Sequence, residues 1–197
     1  QLGVCRLTFA VDDLSATSQF LTRLGLLDPD DSLGQTQSLN PVNTRSLNLA
    51  ISGAAISGAV VSNNEQVDKI TGLDHIVIQT DYPEHTGFLL GCQLGLDLRL
   101  DRTNSDWNSR LLFFRCGDAV VEVYHPLESH TRVHEDHFFG ITWRTSDIAA
   151  AHQRLLTQGV TVSDIRKGRK TGTAVFTIKS HTANVPTLVI GALSRVD

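Results

Sequence analysis

The stretch LDHIVI, residues 73–78, is a short apolar strand pattern. It is followed by Asp81 and by an amphipathic segment that ends at Gly95. Similar successions of strand, aspartate, helical pattern and glycine surround Asp13 and Asp147. The three aspartates are 68 and 66 residues apart, which leaves room for one strand, one helix and about three further strands per copy. This internal repeat predicts a chain built from copies of one small α+β unit.

The third copy shows the helix of the unit most clearly. Asp147 is placed to cap a helix over residues 148–157, whose apolar side chains recur at helical spacing. Gly159 then supplies the stop. In the second copy the buried helical stripe is predicted from three residues, Phe88, Leu89 and Cys92.

The remainder of each copy reads as strands. Residues 110–115 and 119–124 are apolar runs on either side of Gly117-Asp118, which predicts a hairpin. The corresponding runs are 174–179 with 185–190 in the third copy, and 47–51 with 56–61 in the fainter first copy. We therefore expect modules over residues 1–62, 70–126 and 137–193.

Composition excludes several classes of partner. The 197 residues carry a net charge of -4 with a pI near 6.0, so we expect no nucleic acid and no anionic membrane surface. The longest apolar run is too short and too rich in Ser and Gly to span a bilayer. Three scattered cysteines and the absence of a charged, apolar leader favour a cytoplasmic protein.

Four segments together resemble the vicinal oxygen chelate superfamily, which includes glyoxalase I, extradiol dioxygenases, fosfomycin resistance enzymes and bleomycin resistance proteins. These segments are residues 72–78, 119–123, 140–147 and 185–190. The resemblance is best over residues 70–193. It implies an α+β fold in which repeated βαβββ modules pair into curved mixed sheets around a cleft.

By the same resemblance, a divalent metal is held by His or Glu on the first strand and Glu on the last strand of paired modules. The first-strand position falls on Arg6, His75 and Gly140 in the three copies. The last-strand position falls on Glu122 in the second copy, on Leu188 in the third, and near Ser57 or Gly58 in the first. A catalytic site ordinarily needs three protein ligands, so the resemblance implies either no metal or one divalent ion (zinc, iron, nickel or manganese) held by an incomplete set, His75 and Glu122.

Glu122 stands between two valines of an apolar strand, and a buried carboxylate is costly unless it is paired, hydrogen-bonded or protonated. One interpretation is a metal ligand or an acid/base group, with His75 as its partner. The other places Glu122 on a solvated face or in an ion pair with one of three arginines, Arg6, Arg110 or Arg115.

Aromatic and basic residues supply candidate ligand contacts. Trp107, Phe113 and Trp143 are candidates to line a cleft for a flat molecule, since such pockets are mainly apolar and aromatic; the alternative is that they fill the core. Arg169 lies in a basic run over residues 166–173 and is a candidate to hold an anionic group; the alternative is an exposed charged loop.

Two hypotheses follow. The first is a metal-independent protein that binds a small planar or aromatic molecule. The second is a metal-dependent lyase, isomerase or ring-cleaving dioxygenase that uses His75 and Glu122 as metal ligands and catalytic residues. A partner subunit or one of the linker histidines, His125, His130, His134 and His137, would complete the shell. Because modules close a cleft in pairs, an odd number of copies favours a homodimer in which unpaired copies meet.

Overall fold

The computed structural model describes residues 3–29, 34–53, 70–128 and 135–193. In chain order the elements are β1 (Leu7–Ala10), α1 (Leu14–Arg23), β2 (Thr36–Ser38), β3 (Leu49–Ser52), β4 (Ile70–Gln79), α2 (Pro83–Phe88), β5 (Asp97–Asn104), β6 (Ser109–Cys116), β7 (Ala119–Pro126), β8 (His137–Thr145), α3 (Ile148–Thr157), β9 (Arg166–Lys167), β10 (Thr173–Ile178) and β11 (Thr187–Ala192). Within these ranges no helix is long and apolar enough to cross a membrane.

The larger sheet has eight strands in the order β5-β6-β7-β4-β8-β11-β10-β9. In its first half β4 pairs in parallel with β7, and in its second half β8 pairs in parallel with β11. Each half thus has the order βαβββ, and the antiparallel pairing of β4 with β8 joins the halves. The predicted α+β class with paired βαβββ units in a curved mixed sheet is confirmed.

The smaller sheet has the order β1-β3-β2, with β1 and β3 parallel. The strand predicted over residues 56–61 lies outside the described residues. β3 occupies the place beside β1 that β7 occupies beside β4, so among the described residues the last-strand position of the first copy falls on β3; Ser57 and Gly58 lie outside the described residues. All four residues of β3 are buried, and they include no ionisable side chain.

The helix predicted over residues 148–157 is confirmed with the same bounds. The Asp147 carboxylate oxygen Oδ1 accepts hydrogen bonds from the backbone N–H groups of Ala149 and Ala150, each at 2.9 Å. These bonds satisfy two donors that the first turn leaves without helical partners. Gly159 adopts a φ of 75° directly after the helix, a conformation that glycine reaches without strain.

The buried stripe predicted for the second helix is wrong in two of its three members. Phe88 is 55% exposed and Cys92 is exposed, whereas Leu89 and Leu90 are buried. α2 continues as a π-helical turn over Leu89–Gln93. This wider turn changes the rotation per residue, so the apolar face does not follow the α-helical spacing.

Apolar side chains on alternate residues of the central strands define the outer face of the large sheet. Ile76 and Ile78 of β4 and Val121 and Val123 of β7 are buried in one cluster together with the first unit. A second cluster lies beneath α3 on β10 and β11. Because side chains alternate along a strand, the intervening residues of β4 and β7 face the opposite, concave side.

Asp136 attaches the first unit to the large sheet. Its carboxylate is fully buried, and Oδ1 accepts a hydrogen bond from Arg45 Nε at 3.1 Å. Oδ2 accepts from Thr86 Oγ1 at 2.6 Å, and the Asp136 backbone N–H donates to the Arg45 carbonyl at 3.1 Å. The Arg45 guanidinium also lies 4.7 Å from the centroid of the Tyr82 ring. One carboxylate therefore joins the loop before β3, α2 and the start of β8.

We predict that Asp136→Asn lowers the free energy of unfolding by about 2 kcal/mol, because a buried charged hydrogen-bond acceptor is lost. The measurement is urea denaturation followed by circular dichroism. The matched control is Asp97→Asn, which removes the carboxylate of an exposed pair with Arg99 and is expected to cost less than about 1 kcal/mol. Equal effects of the two substitutions would contradict the role of Asp136.

Candidate active site

Two rows of side chains cross the concave face at its centre. Strand pairing places residues from β6, β7, β4 and β8 opposite one another in the first row, which consists of Phe113, Glu122, Val77 and Gly140. The neighbouring row runs across β7, β4, β8 and β11 and consists of Val120, His75, Thr142 and Leu188. The rows are adjacent, so the only carboxylate and the only imidazole of these eight residues become diagonal neighbours.

The His75 imidazole and the Glu122 carboxylate meet on the concave face. The distance between His75 Nε2 and Glu122 Oε2 is 3.5 Å, and the side chains are 18% and 13% exposed. Thr142 Oγ1 lies 2.8 Å from the same Nε2 atom. The structure thus brings together the two residues singled out in the sequence and adds a hydroxyl from the other half of the sheet.

The other imidazole nitrogen is held by Asp74. The distance between His75 Nδ1 and Asp74 Oδ1 is 2.8 Å, and Asp74 Oδ2 lies 3.4 Å from Arg144 Nε. The pairing of β4 with β8 shifts register between Leu73 and His75. This bulge inserts Asp74 into the strand, as bulges commonly re-aim side chains beside sites. The His75 hydrogen bond is the largest cause lowering the pKa of the Asp74 carboxyl; partial burial opposes it, and Arg144 adds to the lowering.

Burial raises the pKa of the Glu122 carboxyl above its ordinary range. The charges of His75 and Arg169 oppose this shift, and the nearby Asp74 carboxylate adds to it. None of the three arginines considered for an ion pair fills that role: Arg6 donates to Asn48 Oδ1, Arg110 to Asp101, and Arg115 to the Gly117 carbonyl. Glu122 is therefore a desolvated acid whose nearest ionisable partner is His75.

The donor set does not fit a catalytic divalent metal. The described residues contain no group of three His, Cys, Asp or Glu side chains that could hold an ion. Across the strands, the positions nearest His75 and Glu122 carry Thr142, Gly140 and Leu188, of which only the threonine has a side-chain oxygen. Of the linker histidines, His130 and His134 lie outside the described residues, and His125 Nδ1 lies 3.0 Å from the Thr80 carbonyl.

Close packing explains why Gly140 supplies no ligand. A Cβ atom at this position would lie 2.8 Å from the backbone oxygen of Pro186. That carbonyl accepts a hydrogen bond from the Ile141 N–H at 3.0 Å, so it cannot move away freely. The second half of the sheet therefore has no room for an imidazole at the place where the resemblance expects one.

Residues from opposite ends of the sheet meet at the mouth of the concave face. Trp107 lies in the turn between β5 and β6, and Arg169 lies in the loop between β9 and β10. The Arg169 guanidinium carbon is 4.2 Å from the centroid of the Trp107 ring. β5 and β9 are the two outermost strands, so this contact shows that the sheet curls until its edges approach each other.

The remaining predicted aromatic residues lie on different faces. Phe113 pairs directly with Glu122 and shares its face. Trp143 pairs with Val189, a fully buried residue of the cluster beneath α3, and it follows Thr142 in the strand. Strand alternation therefore places Trp143 on the outer face, which corrects the expectation that it lines the cleft.

Three residues of the site were missed in the sequence. Arg102, whose guanidinium carbon is 5.5 Å from the Trp107 ring centroid, sits in a strand of alternating charges without a motif. Thr142 and Asp74 depend on the pairing of β4 with β8, which no local pattern specifies. The Asp-His dipeptide at 74 and 75 was the one signal that could have drawn attention to Asp74.

The family model of the Glyoxalase/Bleomycin resistance protein/Dioxygenase superfamily matches residues 74–176. No curated protein matches this sequence. Similar solved structures include the Mycobacterium tuberculosis methylmalonyl-CoA epimerase, which is 22% identical with a TM-score of 0.54, over 66% of this chain and 93% of that one. A variant of the Streptomyces coelicolor methylmalonyl-CoA epimerase in complex with 2-nitronate-propionyl-CoA is 17% identical with a TM-score of 0.52, over 64% and 100%. At such identities these structures show the fold alone.

We predict that Glu122→Gln changes the pH dependence of stability. A carboxyl with a raised folded-state pKa stabilises the protein while it is protonated, and this contribution is lost as pH rises through that pKa. The wild type should therefore lose free energy of unfolding relative to Glu122→Gln as pH rises above about 4, the ordinary glutamate range. Urea denaturation across this range measures the difference.

Glu84→Gln is the matched control for that measurement. A hydrogen bond from Arg110 lowers the pKa of the Glu84 carboxyl, so the wild type should gain stability relative to this variant as pH rises. As pH rises, the stability difference between the wild type and each variant is therefore expected to change in opposite directions for Glu122→Gln and Glu84→Gln. Parallel pH profiles would contradict the desolvation of Glu122.

We predict that Gly140→Ala lowers the free energy of unfolding by about 1 to 3 kcal/mol, because the added methyl group meets the Pro186 carbonyl. Gly72→Ala is the control, since a Cβ there has no neighbour within 4 Å and should change stability by less than about 1 kcal/mol. Thermal and urea denaturation measure both. Unchanged stability in Gly140→Ala would show that the site has room for a larger side chain.

Proposed function

Because the chain belongs to the glyoxalase/bleomycin resistance protein/dioxygenase superfamily, we propose that it binds a small, planar or aromatic molecule on the concave face of its eight-stranded sheet, without a complete metal site of its own. The observation that carries this proposal is the composition of the two central rows. They present one acid, one imidazole and one hydroxyl among apolar side chains, with glycine and leucine at the positions opposite.

Apolar surface with a few placed polar groups is typical of small-molecule sites. Phe113 lies directly beside Glu122 across the strands, and Trp107 stands at the mouth, 37% exposed. A flat ligand that enters between them would cover Phe113 and bring one polar atom to Glu122. Aromatic pairs and stacks of this kind contribute about 0.5 to 1.5 kcal/mol beyond the burial of area.

Glu122 and His75 would supply the hydrogen bonds of the site. A protonated Glu122 donates to a carbonyl or hydroxyl oxygen of the ligand, while the carboxylate accepts. Asp74 orients the imidazole through the 2.8 Å contact between Oδ1 and Nδ1, which directs Nε2 toward Thr142 and Glu122. The pair is thus able to present either a donor or an acceptor to the ligand.

A second candidate function is a divalent-metal-dependent lyase, isomerase or ring-cleaving dioxygenase. The observation that favours it is the Asp74 contact on Nδ1, because histidines that bind metal commonly give their other N–H to a carboxylate. Against it stands the donor set described above, which offers an imidazole and one carboxylate where three ligands are ordinarily needed.

The proposed function assumes that the chain is built from repeated modules. We infer that residues 70–126 and 137–193 are duplicated modules and that residues 1–62 derive from a third.

The three free cysteines Cys5, Cys92 and Cys116 support a reducing, cytoplasmic setting. A homodimer stays a prediction. Because β3 of the first unit is already buried within one chain, a second copy of the protein is not needed to cover this strand.

We predict that chelator-treated protein binds 2-naphthamide, an uncharged planar probe, and that Phe113→Ala weakens binding about tenfold or more by loss of the aromatic contact. Isothermal titration calorimetry measures both. Phe88→Ala is the control, since Phe88 is an exposed phenylalanine on α2 and should leave the affinity unchanged.

Elemental analysis of the untagged protein completes this test. The proposal expects less than about one tenth of an equivalent of divalent metal per chain after purification in metal-containing buffer. One equivalent of metal that is lost in a His75→Gln variant, together with probe binding only in the metal-loaded form, would overturn the proposal in favour of the second candidate.

A further inference from the structure

Two guanidinium groups approach the same tryptophan at the mouth of the concave face. Arg169 Cζ is 4.2 Å and Arg102 Cζ is 5.5 Å from the centroid of the Trp107 ring. Arg102 belongs to β5 and Arg169 to the loop before β10, so they come from opposite ends of the sheet. We call Arg102, Trp107 and Arg169 the mouth cluster.

Local structure holds the turn that carries Trp107 and the loop that carries Arg169 in place. The Trp107 N–H donates to Asn104 Oδ1 at 3.2 Å, and Asn108 closes the turn with a φ of 47°. On the other side, the Gly168 N–H donates to the Thr173 carbonyl at 2.8 Å. A Cβ atom at Gly168 would lie 3.2 Å from that carbonyl and closer still to the Thr173 hydroxyl. The loop that carries Arg169 is therefore tightly closed at its base.

Arg102 and Arg169 contact an aromatic ring, whereas several other arginines form ion pairs. Arg45, Arg99, Arg110 and Arg144 each pair with an aspartate. Within the part of the chain that the structure describes, the contacts found for Arg102 and Arg169 are with the Trp107 ring, and no carboxylate lies within ion-pair distance of either. Two positive charges beside one aromatic ring form a local positive site on a protein whose net charge is -4.

We propose that the mouth cluster is an anion clamp: Arg102 and Arg169, which lie over the Trp107 ring, bind a carboxylate or phosphate group of the ligand. This inference rests on the proposed binding of a small molecule at the concave face and names its chemical class. Guanidinium groups match the planar or tetrahedral oxygen arrays of these anions with paired N–H donors. The ligand then reaches from the charged mouth to Phe113 and Glu122 inside.

The charge of Arg169 also acts on Glu122, where it lowers the pKa of the carboxyl. An anion bound to Arg169 would neutralise part of this effect and favour the protonated form of Glu122. Arg102 is not among the groups that act on Glu122. Substitution of Arg102 therefore tests the clamp without altering the acid inside the site.

The test compares three probes that share one ring system: 2-naphthoate, 2-naphthyl phosphate and uncharged 2-naphthamide. Isothermal titration calorimetry on the full chain should show that at least one anion binds about tenfold more tightly than the amide. Arg102→Gln and Arg169→Gln should each weaken the anion about tenfold, and Arg102→Gln, which does not alter Glu122, should leave the amide unchanged. The tighter of the two anions identifies the group that the clamp prefers.

Arg99→Gln is the matched control, because it removes the same charge from the same strand at an arginine paired with Asp97. It should change anion affinity less than about twofold. Circular dichroism confirms that each variant is folded. Equal affinity of the wild type for anions and amide, or equal loss in all three arginine variants, would overturn the clamp and leave the proposed function standing. Failure of all three probes to bind would contradict both.

Discussion

The antiparallel pairing of β4 with β8 is the constraint on which the rest of the structure depends. Each βαβββ half carries an apolar outer face, covered by its helix, and an opposite face that needs a neighbour. The ladder between β4 and β8 makes one sheet of both halves and sets their two central strands side by side. The register places every residue of the central rows, because a slip of one residue in β4 or in β8 would turn that strand's member of the His75–Thr142 pair to the outer face.

The site is chemically asymmetric although the scaffold is repeated. The first half supplies Asp74, His75 and Glu122, and the second half contributes one hydroxyl from Thr142. Packing enforces this difference, since Gly140 lies against the Pro186 backbone. What results is a carboxyl in a mostly apolar setting with an oriented imidazole beside it. The ligand binding that we propose uses this carboxyl and this imidazole for its hydrogen bonds.

The sequence predicted the fold well because its signals are local. Asp147 and Gly159 mark the ends of a helix, and the runs around Gly117 mark a hairpin, by physics that acts over a few residues. It indicated Glu122 because a polar residue in an apolar strand is conspicuous, and it indicated His75 because the first-strand position of the resemblance falls there. It missed Asp74 and Thr142, and misplaced Trp143, because bulges and strand register are decided by tertiary pairing. The π-helical turn after Phe88 likewise has no signature in the spacing.

The central claim is that Glu122 is a desolvated acid coupled to His75. The most direct measurement is a titration of the Glu122 carboxyl by ¹³C NMR, with Glu122→Gln for assignment and His75→Gln for comparison. The account predicts a pKa above the ordinary glutamate range, and a further rise in His75→Gln, because the imidazole charge lowers the pKa of this carboxyl. An ordinary glutamate pKa that is insensitive to His75 would contradict it.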